Sequence, residues 1–217
     1  MAEVPAGVWI LPLFICISFI NNLSIKLQIS SGGKLMVYMF GIIGVTIHEF
    51  SHYIFCLMFG HKVTNVSFFS PDWDNGNLGC VSHYYNRRSL YQRVGQVFIS
   101  LAPMIVGTII LNILIKAFDV ESLGLKTMMS NPILFLKYIT FVYIFMSISS
   151  YMICSTQDLK NCLKEFICIL ILMFICIFII PGVFSAIYNA LLVTMKFVLI
   201  NFVLSFLMYL FIGRIRG

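Results

Sequence analysis

Six stretches of this chain are apolar for long enough to cross a ~30 Å hydrocarbon layer, which takes about 20 residues of helix. They fall at roughly 4–21, 35–59, 91–115, 133–154, 162–180 and 183–212. A soluble fold would have to hide all of them in one core, and a chain of 217 residues cannot enclose that much apolar surface. Composition agrees: 60% of the residues are hydrophobic and 10% charged, against roughly 25% charged in an ordinary soluble domain. The expected fold class is therefore an all-α polytopic membrane protein of about six transmembrane helices, forming one domain over residues 1–217. Pro181-Gly182 leaves almost no loop between the last two spans, and the final stretch is long enough to be tilted or broken.

The connecting segments differ in character. Asn22 to Lys34 is short and polar and is expected to be a loop. His61 to Leu90 is long and carries strand-like pieces: Val63 to Phe69 alternates, Asn75-Gly76-Asn77 offers turn chemistry, and Leu78 to Tyr85 reads as a return strand. A β-hairpin after the second span is expected, and its edge could hold an extended peptide.

The net charge of +6 does not indicate a nucleic-acid partner, because the basic residues are scattered between apolar segments without a dense run. They report orientation instead. With six spans, Lys62, Arg87, Arg88, Arg93, Lys160, Lys164, Arg214 and Arg216 fall on one side, and Lys26, Lys34, Lys116 and Lys126 on the other. The richer side is expected to be cytoplasmic, with both termini, the 61–90 loop and the 155–161 loop. Seven cysteines, at 16, 56, 80, 154, 162, 168 and 176, form no C-x-x-C pair, and all but Cys80 lie in or beside apolar segments as small hydrophobes. No basic region precedes the first apolar stretch, where Glu3 stands, so that segment is expected to be retained rather than cleaved as a signal peptide.

The second span carries His48-Glu49-Phe50-Ser51-His52 inside an otherwise apolar helix. Ionisable residues are costly there and point to a function. Residues four apart on a helix are separated by about 40° around the axis and ~6 Å along it, so His48 and His52 can offer imidazoles to one Zn²⁺. Glu49 sits beside that face, where its carboxylate can take a proton from an activated water and pass it to a leaving amine. In water two histidines and a salt-bridging Glu would be an ordinary surface pattern; in hydrocarbon a cation that satisfies all three is the simplest account.

A catalytic zinc needs a third protein ligand. The candidates are His61, Asp72, Asp74, His83, Asp119, Glu121, Asp158 and Glu165. His52 lies ~12 Å from the end of its helix that leads into the 61–90 loop, so the partner should come from that side, which removes Asp119 and Glu121. Asp158 follows the fourth span and reaches the correct face by parity. It is the expected ligand, with His83 the runner-up. Asp158 as a helix cap and His61 as a C-terminal cap beside Gly60 are the structural alternatives. Gly41 and Gly44 would let another helix approach the motif helix, and Pro103 is expected to kink the third span.

These residues resemble the site-2 protease family of intramembrane zinc metallopeptidases. The likeness rests on the His48 to His52 motif closing in Phe59-Gly60-His61-Lys62, on Gly79-Cys80-Val81-Ser82-His83, on Leu101-Ala102-Pro103, and on Ser155 to Lys160, which fits the Ser-x-x-Asp segment of a small bacterial branch. It spans roughly residues 35 to 165. The resemblance implies one Zn²⁺ held by His48, His52 and Asp158, Glu49 as general base, and cleavage of a membrane protein or peptide in or near the bilayer. Gln157-Asp158-Leu159 departs from the Asn-Pro-Asp-Gly or Leu-Asp-Gly of better-known members, and neither a PDZ nor a CBS domain is present to name a substrate. The competing class is a non-catalytic zinc-binding membrane protein, a transporter or an immunity-type protein. A transporter would carry ionisable residues along several spans, whereas outside the motif only Lys137 and Lys196 lie deep in apolar segments. Sequence carries no sign of an oligomeric state.

Overall fold

The computed structural model describes residues 7–74, 76–119, 131–165 and 182–216. In chain order these form α1 (Gly7–Gly32), α2 (Lys34–Met58), β1 (Lys62–Ser67), β2 (Cys80–Tyr84), α3 (Leu90–Phe118), α4 (Pro132–Tyr151), α5 (Thr156–Leu163) and α6 (Val183–Arg216). Five of these helices, α1, α2, α3, α4 and α6, are long and apolar enough to cross a membrane, and the chain is a multi-pass membrane protein. The expected span at 162–180 falls almost wholly outside the described residues; its first residues belong to the short α5, which closes in a turn at Lys164 and Glu165.

One expected loop is helix. α1 runs on through Asn22 to Gly32, and only Gly33, at φ 62°, separates it from α2. Part of what looked like loop chemistry is interior: Ser24, Gln28 and Ser31 are buried, as is Asn21 just before them, while Asn22, Lys26 and Ser30 are exposed. Gln28 Nε2 donates to Ser150 Oγ (2.8 Å) on α4 and to Ser205 Oγ (3.0 Å) on α6, while Asn201 Nδ2 donates to Ser150 Oγ (3.2 Å). Asn21 Nδ2 donates to the Ser150 carbonyl oxygen (3.1 Å). In a lipid setting such a face is stable only because the polar groups meet one another. Around it Ile17, Leu111, Phe145, Ile148 and Val198 from α1, α3, α4 and α6 form the apolar core, and residues such as Leu11, Phe19, Ile113, Leu136 and Phe211 face outward as a lipid-facing surface requires. The final helix is continuous over 34 residues, and Pro103 is accommodated inside an unbroken α3.

Local chemistry sets the remaining boundaries. α2 ends where Gly60 takes φ 66° and His61 N–H returns to the Cys56 carbonyl oxygen (2.8 Å), a left-handed glycine stop. α3 satisfies further carbonyls at that end, with Tyr91 Oη donating to Met58 O (2.6 Å) and Gln92 Nε2 to Gly60 O (2.7 Å). Asn131 caps α4 with Pro132 in its first turn, and Asp119 in the left-handed conformation closes α3. The hairpin is present: β1 and β2 pair antiparallel, Val63 opposite His83 and Ser67 opposite Cys80, with an irregularity between Val63 and Asn65. Gly44 lets α4 approach α2, since a Cβ there would run into the Ser147 carbonyl oxygen; Gly41 instead receives the Phe69 ring from the hairpin.

Candidate functional site

His48 and His52 lie one turn apart on α2 and point the same way, as the helical repeat demands. Each ring is oriented by a hydrogen bond from its far nitrogen. His48 Nδ1 donates to the Tyr151 carbonyl oxygen (2.6 Å) and His52 Nδ1 to the Ile99 carbonyl oxygen (2.8 Å). A carbonyl can only accept, so both Nδ1 atoms carry the proton and a neutral ring turns an unprotonated Nε2 inward. Those two Nε2 atoms are 3.1 Å apart.

Asp158 completes the group from α5. Its Oδ1 is 3.3 Å from His52 Nε2 and its Oδ2 3.5 Å from His48 Nε2. The expected alternatives, ligand or cap, are not exclusive, because Asp158 is also the third residue of a capping box. Ser155 Oγ accepts from Asp158 N–H (3.1 Å), and Asp158 Oδ2 accepts from Ser155 N–H (2.8 Å) and from Ser155 Oγ (2.7 Å). The cap fixes the carboxylate that faces the histidines. Burial raises the Asp158 pKa, but the Nε2–H groups that His48 and His52 present when protonated outweigh it, by hydrogen bonding and by charge, and hold the group well below the usual carboxylate range; with neutral rings a cation would have to take the place of those protons. It is anionic at neutral pH.

The donor set fits a zinc ion. Two unprotonated nitrogens facing each other and an anionic oxygen repel unless something positive sits among them. The Nε2–Nε2 separation of 3.1 Å is close to the edge of a tetrahedron with zinc bonds of 2.0–2.1 Å, about 3.3 Å, and each histidine has one carboxylate oxygen at a similar distance, Oδ1 at 3.3 Å from His52 and Oδ2 at 3.5 Å from His48. Imidazole nitrogen with carboxylate oxygen also suits Zn²⁺ by ligand type.

The three residues line a cavity of about 500 Å³ together with Glu49. Glu49 is buried, and the hairpin reaches over it: a Cβ on Gly79 would lie 2.8 Å from Glu49 Cγ. Further walls come from Asn21 and Asn22 of α1, Cys80 and Val81 of β2, and Gln157 and Asn161 of α5.

The other candidates do not join the three. His83 lines the same cavity but is not grouped with His48 and His52; its Nε2 donates to Gln96 Oε1 (2.9 Å) and its ring lies 5.0 Å from that of His61. His61 Nε2 donates to the Gln92 carbonyl oxygen (2.8 Å), so its ring serves α3 while its backbone closes α2. Glu165 accepts from Arg93 Nε (2.7 Å) and Tyr85 Oη (2.7 Å). Asp72 and Asp74 sit together at the hairpin tip, and Asp119 caps α3. Sequence reading quoted Ser155 and Gly79 within motifs without giving either a role at the site, and missed the two carbonyls that orient the histidines; the reciprocal cap between Ser155 and Asp158 is what Ser-x-x-Asp at a helix start signals.

Comparison with protein-family models, with curated proteins and with solved structures finds no match to this chain.

Proposed function

We propose that this chain is a zinc-dependent peptidase that hydrolyses a peptide bond in or next to the membrane, by the chemistry of the site-2 protease family. One observation carries the reading: two imidazole Nε2 atoms and a carboxylate converge within hydrogen-bonding range of one another, beside a buried glutamate, in a cavity between apolar helices. Zn²⁺ held by His48, His52 and Asp158 would polarise the scissile carbonyl and lower the pKa of a water toward about 7. Glu49 takes the proton from that water and returns it to the leaving amine. Asp158 balances the positive charge, and the Tyr151 and Ile99 carbonyls keep both imidazoles in the tautomer that leaves Nε2 free.

The hairpin supports a mode of substrate binding. Among the described residues the sheet has two strands, which leaves β2 one edge unpaired there, and its Cys80 and Val81 line the cavity. An extended segment of a membrane protein or peptide can add to that edge and so present its backbone to Glu49. The excess of Lys and Arg at the hairpin end of the molecule supports a cytoplasmic position for this face.

The test is metal counting together with processing. Wild type and Glu49→Ala should hold equal zinc, and His52→Ala and Asp158→Ala should each hold one equivalent less. Proteomics of cells carrying each variant should show the same membrane-derived fragments lost in all three. Fragments that persist in Glu49→Ala cells overturn the catalytic assignment, and full zinc in Asp158→Ala overturns the ligand set.

A further inference from the structure

A second group of metal-ligating side chains stands apart from the first. Cys56 is one helical turn beyond His52 on α2, His61 follows the glycine stop, and His83 lies on β2. A ligand atom from each of the three lies within 4.8 Å of the other two. Cys56 is fully buried and His61 is 4% exposed.

The histidine nitrogens are unevenly used. Both Nε2 atoms are committed to α3: His61 donates to the Gln92 carbonyl oxygen (2.8 Å) and His83 to Gln96 Oε1 (2.9 Å). Both Nδ1 atoms are buried and have no hydrogen-bond partner among the described residues. Neutral imidazoles protonated at Nε2 leave lone pairs on Nδ1, and an unpartnered lone pair in the interior is costly. Two such nitrogens and a thiol, each ring oriented by a hydrogen bond from its other nitrogen, are the parts of a metal site.

We propose that Cys56, His61 and His83 form a second, structural metal site for a thiolate-preferring cation, with Zn²⁺ its natural occupant. Thiolate and imidazole select Zn²⁺ over the oxygen-seeking Mg²⁺ and Ca²⁺. On binding, the Cys56 thiol releases its proton to solvent and the sulfur lone pair forms the metal bond. The three ligands come from the end of α2, the turn after it and β2, so the ion ties the root of the hairpin to the motif helix. The same hairpin carries Gly79 against Glu49, and the second site thereby holds the wall of the first.

Cobalt distinguishes the two sites, because only the second contains sulfur. Full-length protein in detergent, stripped by a chelator and titrated with Co²⁺, should take up two equivalents, one of them accompanied by near-ultraviolet thiolate-to-cobalt absorption. Cys56→Ala and His83→Ala should each lose that absorption and one equivalent. His48→Ala/His52→Ala should keep the absorption and one equivalent, which shows that the second site stands without the first. Uptake of one equivalent with the absorption in wild type supports this site and removes the zinc assignment of the other. Absence of the absorption from wild type, or its persistence in Cys56→Ala, overturns the proposal.

Discussion

Gly79 packs against Glu49 so closely that a Cβ on the glycine would come within 2.8 Å of Glu49 Cγ and within 2.8 Å of the Ser67 carbonyl oxygen. One of those neighbours is backbone of the paired strand, so the clash cannot be relieved by a side-chain rotation alone. Gly79→Ala is therefore expected to displace the hairpin from α2 and Glu49 with it. A displacement of about 1 Å at a catalytic group costs on the order of 10²-fold in rate, while zinc content should stay at the wild-type level. Gly76→Ala is the comparison: at φ 71°, with no atom within 4 Å of an added Cβ, it introduces backbone strain in the same hairpin without any clash at Glu49. Peptidase assays on both variants, with metal analysis, check the pair.

Glu49→Gln preserves size and hydrogen bonding but removes the base. The expected outcome is a loss of about 10²–10⁴-fold in peptide cleavage, with zinc content and thermal stability unchanged. A variant that cleaves at the wild-type rate would remove Glu49 from the mechanism.

Ser155 anchors Asp158 through the capping box, and its replacement acts at a distance from the metal. Ser155→Ala should cost about 0.5–2 kcal/mol of α5 stability and weaken zinc binding about 10–100-fold, measured by competition with a chromogenic chelator. Ser155→Thr, which keeps the hydroxyl, should restore most of both.

Gly44 is the point where α2 and α4 touch. A methyl group there would strike the Ser147 carbonyl oxygen and come within 2.6 Å of Tyr151 Cδ2. Gly44→Ala is expected to push α4 away, at about 1–3 kcal/mol for overpacking, and to lengthen the bond from His48 to the Tyr151 carbonyl. Lower thermal stability together with lower zinc affinity is the expected pairing; loss of stability alone would mean that the Tyr151 carbonyl is not needed to orient His48.

The legible parts of this molecule are those whose signals are local or follow from parity. His48 and His52 share one helix, so their spacing already implied one face, and Asp158 had to reach the same end because two crossings, α3 and α4, lie between the end of α2 and α5. The hairpin was legible from alternation in Val63 to Phe69 and the turn residues after it. What failed to show was polar chemistry facing inward. Asn22 to Ser31 looked like a loop because Asn, Ser, Lys and Gln are rare in spans, and the partners that Gln28 finds on α4 and α6, far along the chain, are not stated by local sequence. Cys56 read as a small hydrophobe for the same reason: His61 and His83 come to it through the glycine stop and the strand register, neither of which sequence spacing states.

The polar face shared by α1, α4 and α6 has a consequence for biosynthesis. Gln28 lies on α1, yet its partner Ser205 lies on α6, which is synthesised well after it. Until α6 is inserted, the nascent chain carries a side-chain amide on an apolar helix with Ser150 as its nearest relief. Closure of this polar face thus waits on the synthesis of α6, and a chain truncated before residue 183 would leave a polar seam open to lipid.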